Sequence, residues 1–245
     1  MKNRIVAIIE ARMTSSRLPG KHLLEADGKA MLSHLVGRLS KIKILDDIVI
    51  ATTINSQDDE LEKLAKSLKV SVFRGSEKDV MGRVIGAGEK YNASIICEVT
   101  GDCPLIDYEL VEQAINSFLL NKVDYLNYGI RGGLPDGMGS QVFYLDALKK
   151  SAQMTSDEYD HEHVTSHIIK NPNIFSSLYI NAPASLRAPD IAVTLDEFQD
   201  YVLIKQIIEH FSRLNESFGC FDIINLLNNK SEWLEINKDV VRNHL

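Results

Sequence analysis

Short runs rich in β-branched residues alternate with longer stretches of helical period along this 245-residue chain, and that alternation limits the fold more than any other feature. Strands separated by helices pair in parallel, with the helices covering the sheet, so the pattern predicts an α/β fold with a mostly parallel sheet. The strand candidates are residues 4–9, 47–52, 70–74, 94–100, 125–127, 141–144 and 191–194. Helical period places helices at 31–41, 57–68, 80–91, 108–120, 145–154, 161–169 and 198–215. In the first of these Leu32, Leu35, Val36 and Leu39 share a face; in the second Leu61, Leu64, Ala65 and Leu68 do so, with acids at the start where the helix dipole favours them.

Composition then narrows the partners. With 44% hydrophobic and 25% charged side chains the chain can bury a core, which excludes disorder and fibre. The net charge of −7 leaves no global cationic field for a nucleic acid, so any phosphate site is local. Cys97, Cys103 and Cys220 form no C-x-x-C pair, which argues against a disulfide framework or a cysteine-only zinc site and for a reducing cytoplasm. The apolar run at 5–9 is too short for a signal-peptide core, so the mature protein is expected to start at Met1. No run approaches the ~18 apolar residues of a membrane span. There is no repeat and no long linker, and residues 1–245 read as one domain.

Ligands of open α/β sheets bind beyond the carboxyl ends of the strands, so the residues just after each run carry the information. After the first strand, residues 11–21 run Ala11-Arg12-Met13-Thr14-Ser15-Ser16-Arg17-Leu18-Pro19-Gly20-Lys21, with three cations, three hydroxyls and no acid. In an acidic chain that composition marks a phosphate site, with a solvated basic loop as the bland reading. It is not a Walker A loop, because Ser15 and His22 stand where a Gly and a Ser or Thr are needed. The turn Gly101-Asp102-Cys103-Pro104-Leu105 follows the 94–100 strand, and Asp196 follows the 191–194 strand. One carboxylate from each of two strand ends suits Mg²⁺, which takes few carboxylates together with phosphate oxygens. Either Asp alone could instead cap the next helix.

The stretch from Ile8 to Lys21 resembles the signature loop of the spore coat polysaccharide biosynthesis protein F family, relatives of the cytidylyltransferases that activate 3-deoxy-manno-octulosonate and sialic acids. The resemblance runs in motif order from Arg4 to about Tyr201, and it implies a three-layer α/β/α Rossmann-like nucleotide-diphospho-sugar transferase fold. It further implies that Arg12, Arg17 and Lys21 grip the CTP triphosphate, with backbone from Ala11, Met13 and Ser15 beside them. By the same resemblance Asp102 and Asp196 ligate Mg²⁺, Arg12, Lys21, Asp102 and Asp196 form the catalytic set, and Thr100 and Gly101 border the nucleotide. Thr52 and Arg83 are expected at the cytidine pocket, although an Asp79–Arg83 pair one helical turn apart explains Arg83 as well. Asp107 and Asp200 read as residues that start helices or support the site.

Acceptor selection is expected at residues 131–141 and 158–165, with Asp136, Gly137, Gln141 and His163 as contacts. Against the family pattern, Glu10 replaces an uncharged Gln, Gly139 and Gln141 replace acids, His161 stands where Arg is usual and Ala192 where a basic residue is common. Fewer acids in the acceptor loop point to an anionic acceptor. His163 and His167, four apart on the predicted helix, have a spacing open to a transition metal, but the H-E-x-x-H pattern fails and polar packing explains them equally. The expected protein is a cytoplasmic, Mg²⁺-dependent cytidylyltransferase, a homodimer by resemblance, that moves CMP from CTP onto an anionic small molecule for surface polysaccharide or related biosynthesis, with no nucleic-acid or membrane partner. A nucleotide-sugar glycosyltransferase and a non-catalytic nucleotide sensor are the alternatives. Trp233 and residues 237–245 carry no readable chemistry and are expected to pack on the body or in a dimer interface.

Overall fold

A computed structural model describes residues 3–242. The chain runs through β1 (Ile5–Glu10), a short ribbon of β2 (Glu25–Ala26) and β3 (Lys29–Ala30), α1 (Met31–Leu39), β4 (Asp47–Thr53), α2 (Asp59–Leu68), β5 (Ser71–Gly75), α3 (Val80–Lys90) and β6 (Ile95–Thr100). It continues through α4 (Tyr108–Leu120), β7 (Tyr125–Tyr128), β8 (Ser140–Tyr144), α5 (Leu145–Met154), α6 (Glu158–Glu162), α7 (Ser166–Lys170), β9 (Ser177–Tyr179), α8 (Phe198–Leu214) and α9 (Cys220–Asn229). Seven strands form one sheet in the order β5-β4-β1-β6-β8-β7-β9. All neighbours are parallel except β8, which runs antiparallel to both β6 and β7.

Alternation along the strands builds two cores. On β1, Ile5, Ala7 and Ile9 face the side covered by α1, α4, α8 and α9, while Val6 and Ile8 face α3, α5 and α7. A strand apolar on both faces must lie inside the sheet with a layer on each side, and that is where β1 lies. Helix starts follow local chemistry. Asp79 accepts a hydrogen bond from the Gly82 amide at the head of α3, and Asp107 accepts one from Glu109 N at the head of α4. Glu197 and Asp200 close a capping box on α8.

Three expectations are corrected. Residues 191–194 do not join the sheet: they form one isolated bridge, Ala192 to Asp136, through Asp136 N to Ile191 O (2.9 Å) and Val193 N to Asp136 O (2.8 Å). The ladder cannot lengthen because Gly137 turns away at φ 92°, where an added Cβ would meet Thr194 N at 2.7 Å. The helix expected at 161–169 is two short helices, α6 and α7, because Val164 breaks the run at φ 27° and buries its side chain. His163 and His167 therefore do not share a helix. The edge strand β9 and the helix α9 have no counterpart among the sequence expectations, and a 3-10 turn at Ser231–Ile236 follows them.

The tail packs on the body as far as it is described, while residues 243–245 lie outside the described range. Asn237 donates to Ala192 O (3.1 Å) and to Asp200 Oδ1 (2.8 Å), and the Arg242 guanidinium pairs with the same Asp200 carboxylate. Among the described residues no helix is long and apolar enough to cross a membrane.

Phe143 is fully buried against α3 and α5. Phe143→Ala is expected to lower unfolding free energy by about 3–5 kcal/mol, the usual cost of such a cavity, read by urea titration.

Candidate active site

Parallel pairing of β1 with β6 sets Glu10 opposite Thr100, and Gly101 N donates to Glu10 O at 2.9 Å. The basic loop after β1 and the acidic turn after β6 therefore leave the sheet side by side. Only glycine fits at 101, since a Cβ there would meet Glu10 O at 2.5 Å and the His22 ring at 2.9 Å. Leu195 N donates to Asp102 O (2.8 Å), which brings the third loop, with Asp196, alongside the other two.

The predicted charges meet here. Lys21 Nζ, in a nearly buried side chain, lies 3.4 Å from Asp102 Oδ2 and 3.1 Å from Asp196 Oδ1. Arg17 reaches the same Asp196 oxygen at 3.0 Å, and Arg12 pairs with Glu77 at 3.5 Å. Burial pushes the Asp102 carboxyl up, but the Lys21 charge and a hydrogen bond from Thr100 outweigh it and hold the group below the usual range. Neither Asp is the N-cap of a helix. Asp107 is, and it also accepts from Cys220 N at 2.8 Å. Asp200 Oδ2 accepts from the backbone amides of Asp196 (3.1 Å) and Glu197 (2.9 Å), which fixes the turn that carries Asp196.

Two adjoining cavities open above these loops. The smaller, about 270 Å³, is lined by the basic loop through Ala11, Arg12, Ser15, Arg17 and Lys21, by Arg83, and by Thr100, Gly101, Asp102 and Asp196. The larger, about 570 Å³, takes in the predicted acceptor contacts Asp136, Gly137, Gln141 and His163. Glu10, Thr100, Glu162 and His163 line both and mark the junction.

Two expected contacts are not brought to either cavity. Met13 turns its amide to Asp58 Oδ1 (2.7 Å) and packs its side chain on the core. Thr52 is fully buried with no partner for its hydroxyl, among the side chains of β4 that point away from α3. Arg83 does line the smaller cavity: it is nearly buried, donates to Ser76 O and Glu77 O, and keeps Nε unpartnered. The alternative Asp79–Arg83 pair is not formed, since Asp79 caps α3 and receives His161 Nδ1 at 2.8 Å. That contact takes His161 away from the cavities. His167 hydrogen-bonds Ser151 at 3.0 Å, and the His163 ring lies 4.3 Å from that of Tyr159.

Sequence reasoning missed Glu98, Tyr125 and Asn127 as lining residues, while Glu162 lies in the segment expected to select the acceptor. The signal for Glu98 was present, a carboxylate inside the apolar run 95–99 of a central strand. With Glu10 and Glu98 included, the larger cavity regains the carboxyls that its glycine-rich loop lacks.

The residues fit a divalent cation. Two hard carboxylates already converge on one cation, the Lys21 ammonium, in the manner of a stand-in ion. A nucleotide-sized cleft at the carboxyl ends of a parallel sheet, with a basic loop facing two acids, defines a nucleotidyltransferase. The chain belongs to the cytidylyltransferase family, whose sequence profile, described as Cytidylyltransferase, matches residues 6–240. It is 38% identical over 237 residues to the uncharacterized protein MJ1063 of Methanocaldococcus jannaschii, covering 97% of this chain and 96% of that one. It is 34% identical to the spore coat polysaccharide biosynthesis protein SpsF of Bacillus subtilis, over 92% of this chain and 95% of that one. A cytidylyltransferase structure from Leptospira borgpetersenii superposes with a TM-score of 0.90 at 29% identity, over 99% of this chain and 100% of that one.

His22 lies at the back of the site with Nδ1 3.2 Å from Gly101 O, and burial followed by the Lys21 charge lowers its pKa to about 4. An imidazole with a folded pKa below its unfolded value of 6.5 leaves the unfolded state binding more protons between those limits. Stability from this group is therefore complete above pH 6.5 and lost as pH falls toward 4, by roughly 3 kcal/mol at most. His22→Gln is expected to flatten the pH dependence of unfolding free energy across that window, read by urea titrations at half-unit pH steps. An unchanged slope would assign the window to other groups.

Proposed function

We propose that this enzyme transfers CMP from CTP to an acidic sugar or another anionic small molecule, with release of pyrophosphate. The observation that carries the reading is the convergence of Asp102, Asp196, Lys21 and Arg17 beside the junction of two cavities. The family name supports CTP as donor, and the name of the Bacillus subtilis relative supports a surface-polysaccharide precursor as product. We further propose that residues 1–245 act as one catalytic domain, in the cytoplasm and as a homodimer; sedimentation at twice the chain mass tests the last point.

In this reading the smaller cavity takes the nucleotide. Arg12, Arg17 and Lys21 exchange their carboxylate partners for phosphate oxygens, and Arg83, with Nε unspent, faces the same space. Asp102 and Asp196 would hold Mg²⁺, which would supply neutralisation of phosphate charge. The acceptor oxygen attacks the α-phosphorus in line, the new O–P bond forms as the bond to the β-phosphate oxygen breaks, and the electron pair leaves with pyrophosphate. Lys21 and Arg17 stabilise the charge that gathers on that leaving group. A carboxylate or phosphate acceptor has no proton to lose; a hydroxyl gives its proton to a carboxylate, and Glu10 and Glu162 line the junction.

Pyrophosphate release from CTP with Mg²⁺, across 3-deoxy-ulosonic acids, sialic-type acids, phosphonates and phosphorylated metabolites, tests the proposal. Turnover with one acceptor is expected to fall at least about 100-fold in Asp102→Ala. Arg17→Ala is expected to weaken CTP binding by about tenfold or more in calorimetry, the loss of one charge-assisted hydrogen-bond partner. A wild-type protein that binds no CTP would refute the assignment.

A further inference from the structure

Sheet register lays a row of polar side chains across a face that is otherwise core. Asn127 is opposite Gln141, Gln141 is opposite Glu98, and Glu98 is opposite Ile8, with Glu10 two residues further along β1 on the same face. The neighbours on that face are Val6, Ile8, Ile96, Tyr125 and Phe143, all buried. Apolar side chains are the rule for interior strands, and a row that breaks it in four adjacent strands marks a site rather than a packing unit. The row forms part of the lining of the larger cavity.

The hydrogen bonds within the row leave the acids without donors. Tyr125 Oη and Thr165 Oγ1 both donate to Gln141 Oε1 at 2.6 Å, and Asn127 Nδ2 donates to Tyr125 Oη at 3.2 Å. Glu98, only 4% exposed, has no hydrogen-bond partner for Oε2, and Glu10 has none for Oε1. The two carboxyls are close enough to shift each other's titration, and sharing a proton would relieve their repulsion. Burial, then the charge of Glu10, raises Glu98 well above the usual carboxylate range; burial raises Glu10, opposed by its bond to Glu98 and by the Arg83 charge. Any carboxylate charge on the pair lies beside a cavity and near Arg83.

We propose that the Glu10–Glu98 pair reads the acceptor, accepting hydrogen bonds from a hydroxyl or ammonium group and excluding a carboxylate or phosphate from that part of the cavity. The inference rests on the CMP-transfer reading and adds which part of the acceptor meets the sheet. A carboxylate brought to the pair meets a like charge in a partly desolvated place, where repulsion is strong and water is scarce. A donor group meets acceptor oxygens that no protein donor has claimed. The anionic group of the acceptor then lies elsewhere in the cavity, whose lining includes Arg131 and Lys170.

The test uses CTP-bound protein and ligand-observed NMR titration with four probes: erythritol and ethanolamine as donors, acetate and methylphosphonate as anions. Wild type is expected to bind a donor probe, and to bind an anion only at a place that the Gln variants do not weaken. Glu98→Gln and Glu10→Gln, nearly isosteric and each neutral, are expected to weaken binding of the donor probe by about tenfold or more, the range for hydrogen bonds to charged groups. Glu98→Lys is expected to reverse the preference toward acetate, a change that structural damage alone does not produce. Equal probe binding by wild type and both Gln variants, anion binding by wild type that weakens in both Gln variants, or binding of neither donor probe overturns the inference. Each of these results is scored with CTP bound, so it leaves the CTP reading standing; absence of CTP binding by wild type refutes that reading instead and takes this inference with it.

Discussion

Everything at the site depends on the parallel pairing of β1 and β6. Parallel neighbours end on the same edge, so the loop that follows one strand and the turn that follows the other emerge in contact, and here they carry opposite charge. The backbone bond from Gly101 N to Glu10 O closes the gap between them to a distance that only glycine tolerates. An antiparallel strand in either place would send one of these loops to the far edge. The antiparallel strand of the sheet, β8, instead brings Ser140 and Gln141 to the cavity from its starting end, which is how a glycine-rich loop comes to face the same opening.

The charges are arranged for exchange. Each basic side chain of the first loop has a carboxylate partner: Arg12 has Glu77, Arg17 has Asp196, and Lys21 has both Asp102 and Asp196. Glu77 is itself held below the usual carboxylate range by hydrogen bonds from Thr14 and Asn55. Under the CMP-transfer reading, phosphate oxygens would replace partners that are already in place, and a cation between the two aspartates would take the position of an ammonium. The existing pairs limit the cost of keeping so many ions together.

The sheet and the phosphate loop were legible because they rest on local pattern: alternation for β1, β4 and β6, and a dense basic stretch at a strand end. Asp102 and Asp196 were legible as a pair through motif order, although the strand expected before Asp196 is an isolated bridge. What the sequence hid depends on contacts between distant segments. Thr52 follows its strand correctly, yet the face it takes in the twisted sheet sends it into the core. Met13 lies in the right loop, but Asp58, 45 residues away, captures its amide. His163 and His167 were placed on one helix because helical period says nothing of the turn at Val164, which burial of that side chain imposes. Glu98 alone carried a local signal that was overlooked.

The tail bears on the order in which the molecule is assembled. Asp200, which holds the turn of Asp196, is joined by Arg242 from 42 residues further along and by Asn237 from 37. Vectorial synthesis delivers the basic loop well before these two side chains. A nascent chain that has already folded its sheet therefore holds a buried carboxylate whose two distant partners have yet to leave the ribosome, and the Asp200 contacts are completed when that later segment docks. The surroundings of the acidic turn are in this sense completed late, by a segment whose composition showed no chemistry of its own.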